Sequence, residues 1–126
     1  MTKEQIRSEE APPPGGVHSQ AIRAGNLVFL AGQGPFRPDG EKVEGGFEAQ
    51  ARQTLLNLAA VARAAGGSLG DAVRVGVFLR DMANFATMND IYREFFPEPY
   101  PARTTIQSDL PGFEIEVDAV LWIESP

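Results

Sequence analysis

The sequence predicts an α/β sandwich, with two helices on one face of a mixed sheet, and three observations carry that prediction. From Phe47 to Ala65, the apolar residues Phe47, Ala51, Leu55, Leu58, Ala62 and Ala65 recur every three or four positions, which is the period of an amphipathic helix. Strand-like and helix-like stretches alternate through the middle of the chain. The last stretch, Phe113 to Ile123, alternates apolar and polar residues with the two-residue period of a half-buried strand.

The elements follow in order. Residues 1–10 are polar and charged, lack the apolar run of a signal peptide, and are expected to form a mobile tail. Residues 11–126 are expected to form a single domain with one core. Pro12-Pro13-Pro14-Gly15-Gly16 leads into a strand over Val17–Ala24. Gly25-Asn26 turns the chain into a second strand, Leu27–Ala31, as a hairpin. The Pro- and Gly-containing stretch 35–46 reads as loop, with room for a small second hairpin. Gly66-Gly67 stops the first helix. Val73–Leu79 is a strand rich in β-branched residues. A second helix runs from Asp81 to Phe96, with Phe85, Met88, Ile91, Tyr92 and Phe95 on one side; Pro97, Pro99 and Pro101 end it. Two strands separated by the turn Leu110-Pro111-Gly112 complete the order β-β-α-β-α-β-β. On the last, Phe113, Ile115, Val117, Ala119, Leu121 and Ile123 face the helices. Glu114, Glu116 and Asp118 occupy the other face, followed by Val120 and Trp122. Acids at one end and large apolar groups at the other suit a face covered by another subunit, with a site at the boundary.

Composition narrows the chemistry. Of 126 residues, 43% are hydrophobic and 22% charged, as in ordinary globular proteins. The net charge of −6, with scattered Lys and Arg, argues against a nucleic-acid surface. There is no cysteine, which excludes disulfides, thiolate nucleophiles, iron–sulfur clusters and Cys-based zinc sites. His18 is the single histidine, leaving no second imidazole for a multi-His metal site. No metal is expected. No apolar run of about 18 residues is present, so no membrane span is expected, and a cytoplasmic setting follows by default.

Arg103 and Glu116 are the candidate reactive pair. Arg103 lies in Pro101-Ala102-Arg103-Thr104-Thr105-Ile106 and Glu116 in Phe113-Glu114-Ile115-Glu116-Val117-Asp118-Ala119. On adjacent strands they are expected to face one small pocket. A guanidinium is a planar fork matched to a substrate carboxylate, and a glutamate can position or deprotonate water. The bland alternative for Arg103 is an ion pair with a neighbouring acid, and for Glu116 a sheet-edge or interface carboxylate paired to a base. Glu114 and Asp118 are read as structural. Gly32-Gln33-Gly34 lacks the longer glycine pattern and following helix of a phosphate loop, and is read as part of the hairpin.

With these motifs assembled, the chain resembles the RidA family (YjgF/YER057c/UK114) of enamine/imine deaminases. The matching pieces are Gly16-Val17-His18-Ser19-Gln20-Ala21-Ile22, Ala31-Gly32-Gln33, Gln50-Ala51-Arg52-Gln53, Asn57-Leu58, Ala65-Gly66, Phe85-Ala86-Thr87-Met88-Asn89, Tyr92, Pro101-Ala102-Arg103-Thr104-Thr105 and Ile115-Glu116-Val117-Asp118-Ala119. The resemblance covers residues 11 to 124. It implies a chorismate-mutase-like fold, a homotrimer whose sheets form a central barrel, sites at the subunit interfaces, and no metal or organic cofactor. It implies hydrolysis of reactive enamines and imines such as 2-aminoacrylate to 2-keto acids plus ammonia, as in a 2-iminobutanoate/2-iminopropanoate deaminase. An older family label is endoribonuclease L-PSP. Carried over by position, Arg103 matches the arginine that clamps the substrate carboxylate, and Glu116 the glutamate that orients water. Gly32 matches a backbone contact, Thr105 a backbone group beside the substrate, and Asn89 the family's helix asparagine.

Two departures bear on the substrate. His18 stands where the family usually has tyrosine in Gly-Pro-Tyr-Ser-Gln, and Ala31 stands for serine in Ser-Gly-Gln. Both positions line the family's site, so His18 and Ala31 are candidate substrate contacts. His18 can serve there as proton donor, hydrogen-bond partner or packed polar residue. The departures motivate a second reading, a deaminase or hydrolase of a different enamine in aromatic or pyrimidine breakdown. A third is a non-catalytic trimer that binds 2-keto acids. The acidic charge and lack of a His pair or basic groove argue against a ribonuclease.

Overall fold

The structure is a computed structural model that describes residues 2–124. Six strands form one mixed sheet: β1 (Glu4–Ile6), β2 (Ala21–Ala24), β3 (Leu27–Gln33), β4 (Ala72–Leu79), β5 (Ala102–Gln107) and β6 (Ile115–Trp122). Two helices, α1 (Phe47–Ala64) and α2 (Phe85–Phe95), accompany it. The spatial order is β1-β2-β3-β6-β4-β5. The β4–β5 pair is parallel and the other pairs are antiparallel. No helix among the described residues is long and apolar enough to cross a membrane.

The first hairpin forms where expected. Ala24 opposes Leu27 across Gly25-Asn26, and Gly25 takes φ +64°, the left-handed first position of a II′ turn. Gly66, φ +91°, terminates α1 just past its Ala65 cap. There Gly67 N–H donates to the Ala62 carbonyl (3.0 Å) and Gly66 N–H to that of Arg63 (2.9 Å), a Schellman motif. The core lies between the helices and one sheet face. It holds Leu55, Leu58 and Val61 of α1, Val75, Val77 and Leu79 of β4, and Ile115, Val117 and Leu121 of β6.

Three expectations are corrected. Residues 4–6, expected as part of a mobile tail, form β1 on β2. Buried Gln20 holds this segment: its amide accepts from Ser8 N–H (2.6 Å) and donates to the carbonyls of Ser8 (3.0 Å) and Pro12 (2.9 Å). Residues 17–20 are loop rather than strand, because His18 N–H turns back to the Gly16 carbonyl (3.0 Å). Residues 82–84 form a separate 3₁₀ turn capped by Asp81, so α2 begins at Phe85.

Candidate functional site

β5 and β6 are not neighbours, because β4 lies between them. This corrects the expectation of one pocket on adjacent strands. Val75 of β4 pairs with Arg103 on one side and Ala119 on the other, while Phe78 pairs with Glu116. Side chains alternate across a strand, so Arg103 shares the helix-facing side with buried Val75. Glu116 shares the opposite side with Phe78 and Asp118. Sheet spacing separates the two by about 10 Å across strands and about 10 Å along them.

Arg103 is half-buried beneath α2. Its guanidinium carbon lies 4.7 Å from the Tyr92 ring centroid and 5.6 Å from that of Phe85, and Nη1 donates to Met88 Sδ at 3.8 Å. Among the described residues no carboxylate pairs with it. By contrast Arg37, Arg52, Arg63, Arg80 and Arg93 each pair with an acid. The pocket beside Arg103, about 270 Å³, is lined by Asn89, Tyr92, Arg93, Tyr100 and Pro101.

Glu116 lines a second pocket of about 380 Å³ with His18, Ala31, Gly32, Phe36 and Phe113. β3 carries one extra residue against β6 between Leu30 and Gln33, a bulge that brings the Gly32 backbone onto Glu116. A Cβ at residue 32 would sit 2.6 Å from Glu116 Oε2, so only glycine leaves the carboxylate this position. Burial first, and the Asp118 charge second, push the Glu116 carboxyl above its ordinary value. No hydrogen-bond or ion-pair partner for it is found among the described residues. The paired-carboxylate alternative therefore fails for Glu116 within the chain, as the ion-pair alternative does for Arg103.

The neighbouring acids are structural. Asp118 Oδ1 accepts from Gly76 N–H at 3.1 Å. Glu114 pairs with Arg80 at 3.8 Å, and its N–H donates to Gln50 at 2.9 Å.

The candidate residues thus divide into two groups. Asn89 lies with Arg103; His18, Ala31 and Gly32 lie with Glu116. Thr105 borders neither pocket. It shares Arg103's side of β5, with its hydroxyl buried and unpartnered. Phe36 and Phe113, in edge-to-face contact at 5.4 Å, escaped the sequence reading as pocket residues. Phe113 belongs there rather than among the helix-facing residues, because β6 begins only at Ile115. Among the described residues no group of three or more His, Asp or Glu is placed to hold a metal ion.

Comparison with known proteins fits this geometry into a family. Residues 8–123 match the family model described as Endoribonuclease L-PSP. A RutC family protein of Pyrococcus horikoshii is 48% identical, over 97% of this chain and 99% of that one. A 2-iminobutanoate/2-iminopropanoate deaminase of Dermatophagoides farinae is 38% identical, over 97% and 98% respectively. The crystal structure of RidA from the Antarctic bacterium Psychrobacter superposes with TM-score 0.90 at 39% identity, covering 95% of this chain and 99% of that one. The chain therefore belongs to the Endoribonuclease L-PSP family, the YjgF/RidA family.

Proposed function

We propose that this protein hydrolyses small carboxylate-bearing enamines and imines, of the 2-aminoacrylate type, to 2-keto acids and ammonia. The observation that carries the reading is an unneutralised guanidinium and an unneutralised, half-buried carboxylate, each at an open pocket. The deaminase name of a relative that matches 97% of the chain supports it.

In this reading Arg103 binds the substrate carboxylate, a charge-assisted contact of about 1.5–3 kcal/mol. The enamine tautomerises to the imine. Glu116 accepts a proton from water as the water oxygen bonds to the imine carbon. That proton passes to nitrogen and gives a carbinolamine; the carbinolamine hydroxyl then gives up its proton as nitrogen gains a second one, the carbon–nitrogen bond breaks, and ammonia leaves a 2-keto acid. A carboxyl raised above its ordinary value is better suited to exchange that proton near neutral pH. Gly32 leaves Glu116 its place, and His18 and Ala31 border the substrate.

The substrate's carboxylate and imine carbons are directly bonded, so clamp and base must converge within a few ångströms. One chain holds them on opposite sides of its sheet. The site is therefore completed by a second copy, the β5 edge of one subunit meeting the Glu116 face of the next. That face carries Leu27, Phe29 and Trp122 at 38%, 46% and 46% exposure, an apolar surface suited to cover in a homotrimer. The cytoplasmic setting expected from the sequence stays part of the proposal. The family's description as an endoribonuclease finds no support in a net charge of −6 and arginines engaged by acids.

The test is a coupled assay. A pyridoxal-phosphate dehydratase generates 2-aminoacrylate from serine, and pyruvate release is followed with wild type and Arg103→Ala. Acceleration by wild type alone supports the reading; equal acceleration by both removes Arg103 from it.

A further inference from the structure

We infer that Phe85, Tyr92 and Met88 of α2 are positioning residues for Arg103, holding its guanidinium by two ring faces and a sulfur where a carboxylate would otherwise sit. The inference rests on the reading that Arg103 binds the substrate carboxylate.

Three observations carry it. The contacts reach Arg103 from one helix: Phe85, Met88 and Tyr92 are spaced three and four residues apart and so share a helix face. Tyr92 is itself fixed, its ring stacked on buried Phe96 at 4.2 Å and 19°. Its hydroxyl is buried without a hydrogen-bond partner, so the ring is what this position supplies.

Aromatic faces do what a carboxylate cannot. An Asp or Glu here would fix the guanidinium but occupy its N–H fork and offset its charge. A ring face attracts the cation without occupying its in-plane N–H groups, so those not donated to Met88 Sδ stay free for a bidentate carboxylate. A fixed guanidinium also loses less conformational freedom when substrate binds.

The test uses the full-length protein, with KM and kcat on enzymatically generated 2-aminoacrylate. Pyruvate binding, by calorimetry, is the readout independent of turnover. Phe85 is 38% exposed, so its variants can fold. Phe85→Leu and Tyr92→Leu are expected to raise KM and the pyruvate Kd by about 2- to 30-fold, with kcat changed by less than about 3-fold. Tyr92→Phe keeps the ring and is expected to match wild type within about 2-fold. Phe85→Glu places an acid at the cradle and is expected to weaken pyruvate binding by about 10-fold more than Phe85→Gln, the effect fading with added salt.

Wild-type KM and Kd in Phe85→Leu and Phe85→Glu, with Arg103→Ala impaired, would overturn the cradle and leave the clamp standing. Unchanged pyruvate binding in Arg103→Ala would overturn the clamp, and the cradle with it.

Discussion

Replacing Gly32 with alanine separates the chemistry from the fold. The new Cβ would lie 2.6 Å from Glu116 Oε2, 2.9 Å from its Cδ and 3.0 Å from its Cγ. To reach ordinary van der Waals contact at 3.4 Å, the carboxylate oxygen must retreat by about 0.8 Å. Misplacing a reacting group by about 1 Å costs on the order of 10²-fold in rate. The expected result is therefore a kcat lower by about 10²-fold. KM should change little, because Arg103 lies in the other pocket of the chain. Stability should hold. Gly32 does not have a positive φ, its residue is exposed, and the obstacle is a side chain able to swing away. Alanine at a compatible position contributes about 0.4–1 kcal/mol by restricting the unfolded chain, which offsets the local crowding. Steady-state kinetics in the coupled assay and a urea melt read the two effects. Wild-type kcat in a folded Gly32→Ala protein would refute the placement of Glu116 as the reacting group.

Further outcomes follow from the same geometry. Glu116→Gln should lower kcat by about 10²- to 10⁴-fold, measured in the coupled assay. The same variant should melt higher at neutral pH. Because the folded carboxyl is raised, wild-type stability falls as pH rises from the ordinary carboxyl value through the raised one, and the variant lacks that fall; melting temperatures across pH check it. Asp118→Asn keeps an acceptor for Gly76 N–H but removes the charge beside Glu116, so the acid limb of the kcat/KM profile should move to lower pH. Asn57→Ala should cost about 1–3 kcal/mol in denaturant unfolding. It strips the amide that donates to the Gly34 and Phe36 carbonyls at 3.1 and 2.6 Å, and so loosens the loop that carries Phe36.

Much of this was legible in the sequence because it rests on local signals. The period of α1, the glycines that end it, the Gly25-Asn26 turn and the alternation along β6 each depend on neighbours in the chain. What was not legible depends on pairing between distant segments. No sequence signal states that β4 inserts between β5 and β6, yet that insertion puts Arg103 and Glu116 on opposite sides of the sheet. β1 was hidden for a similar reason: Glu4–Ile6 is short and mostly polar, and its place depends on buried Gln20, twelve residues beyond Ser8. The sequence places Tyr92 on the apolar side of the second helix, and the ring is buried there. Its second part, a ring face against Arg103, appears only once α2 is laid over the sheet. The Phe36–Phe113 contact likewise joins two loops, one of them tied to α1 through Asn57.

The central claim is that Arg103 and Glu116 meet across two copies of the chain, and subunit mixing tests it most directly. Arg103→Ala and Glu116→Gln proteins, each inactive alone, are unfolded together, refolded at equal ratio, and assayed for pyruvate release. If the site draws Arg103 from one subunit and Glu116 from the next, random mixing regenerates wild-type sites at up to about a quarter of all interfaces, and activity returns to about that fraction. If mixed assemblies, verified by mass spectrometry, stay as inactive as the parents, the two residues do not meet across subunits and the account is contradicted.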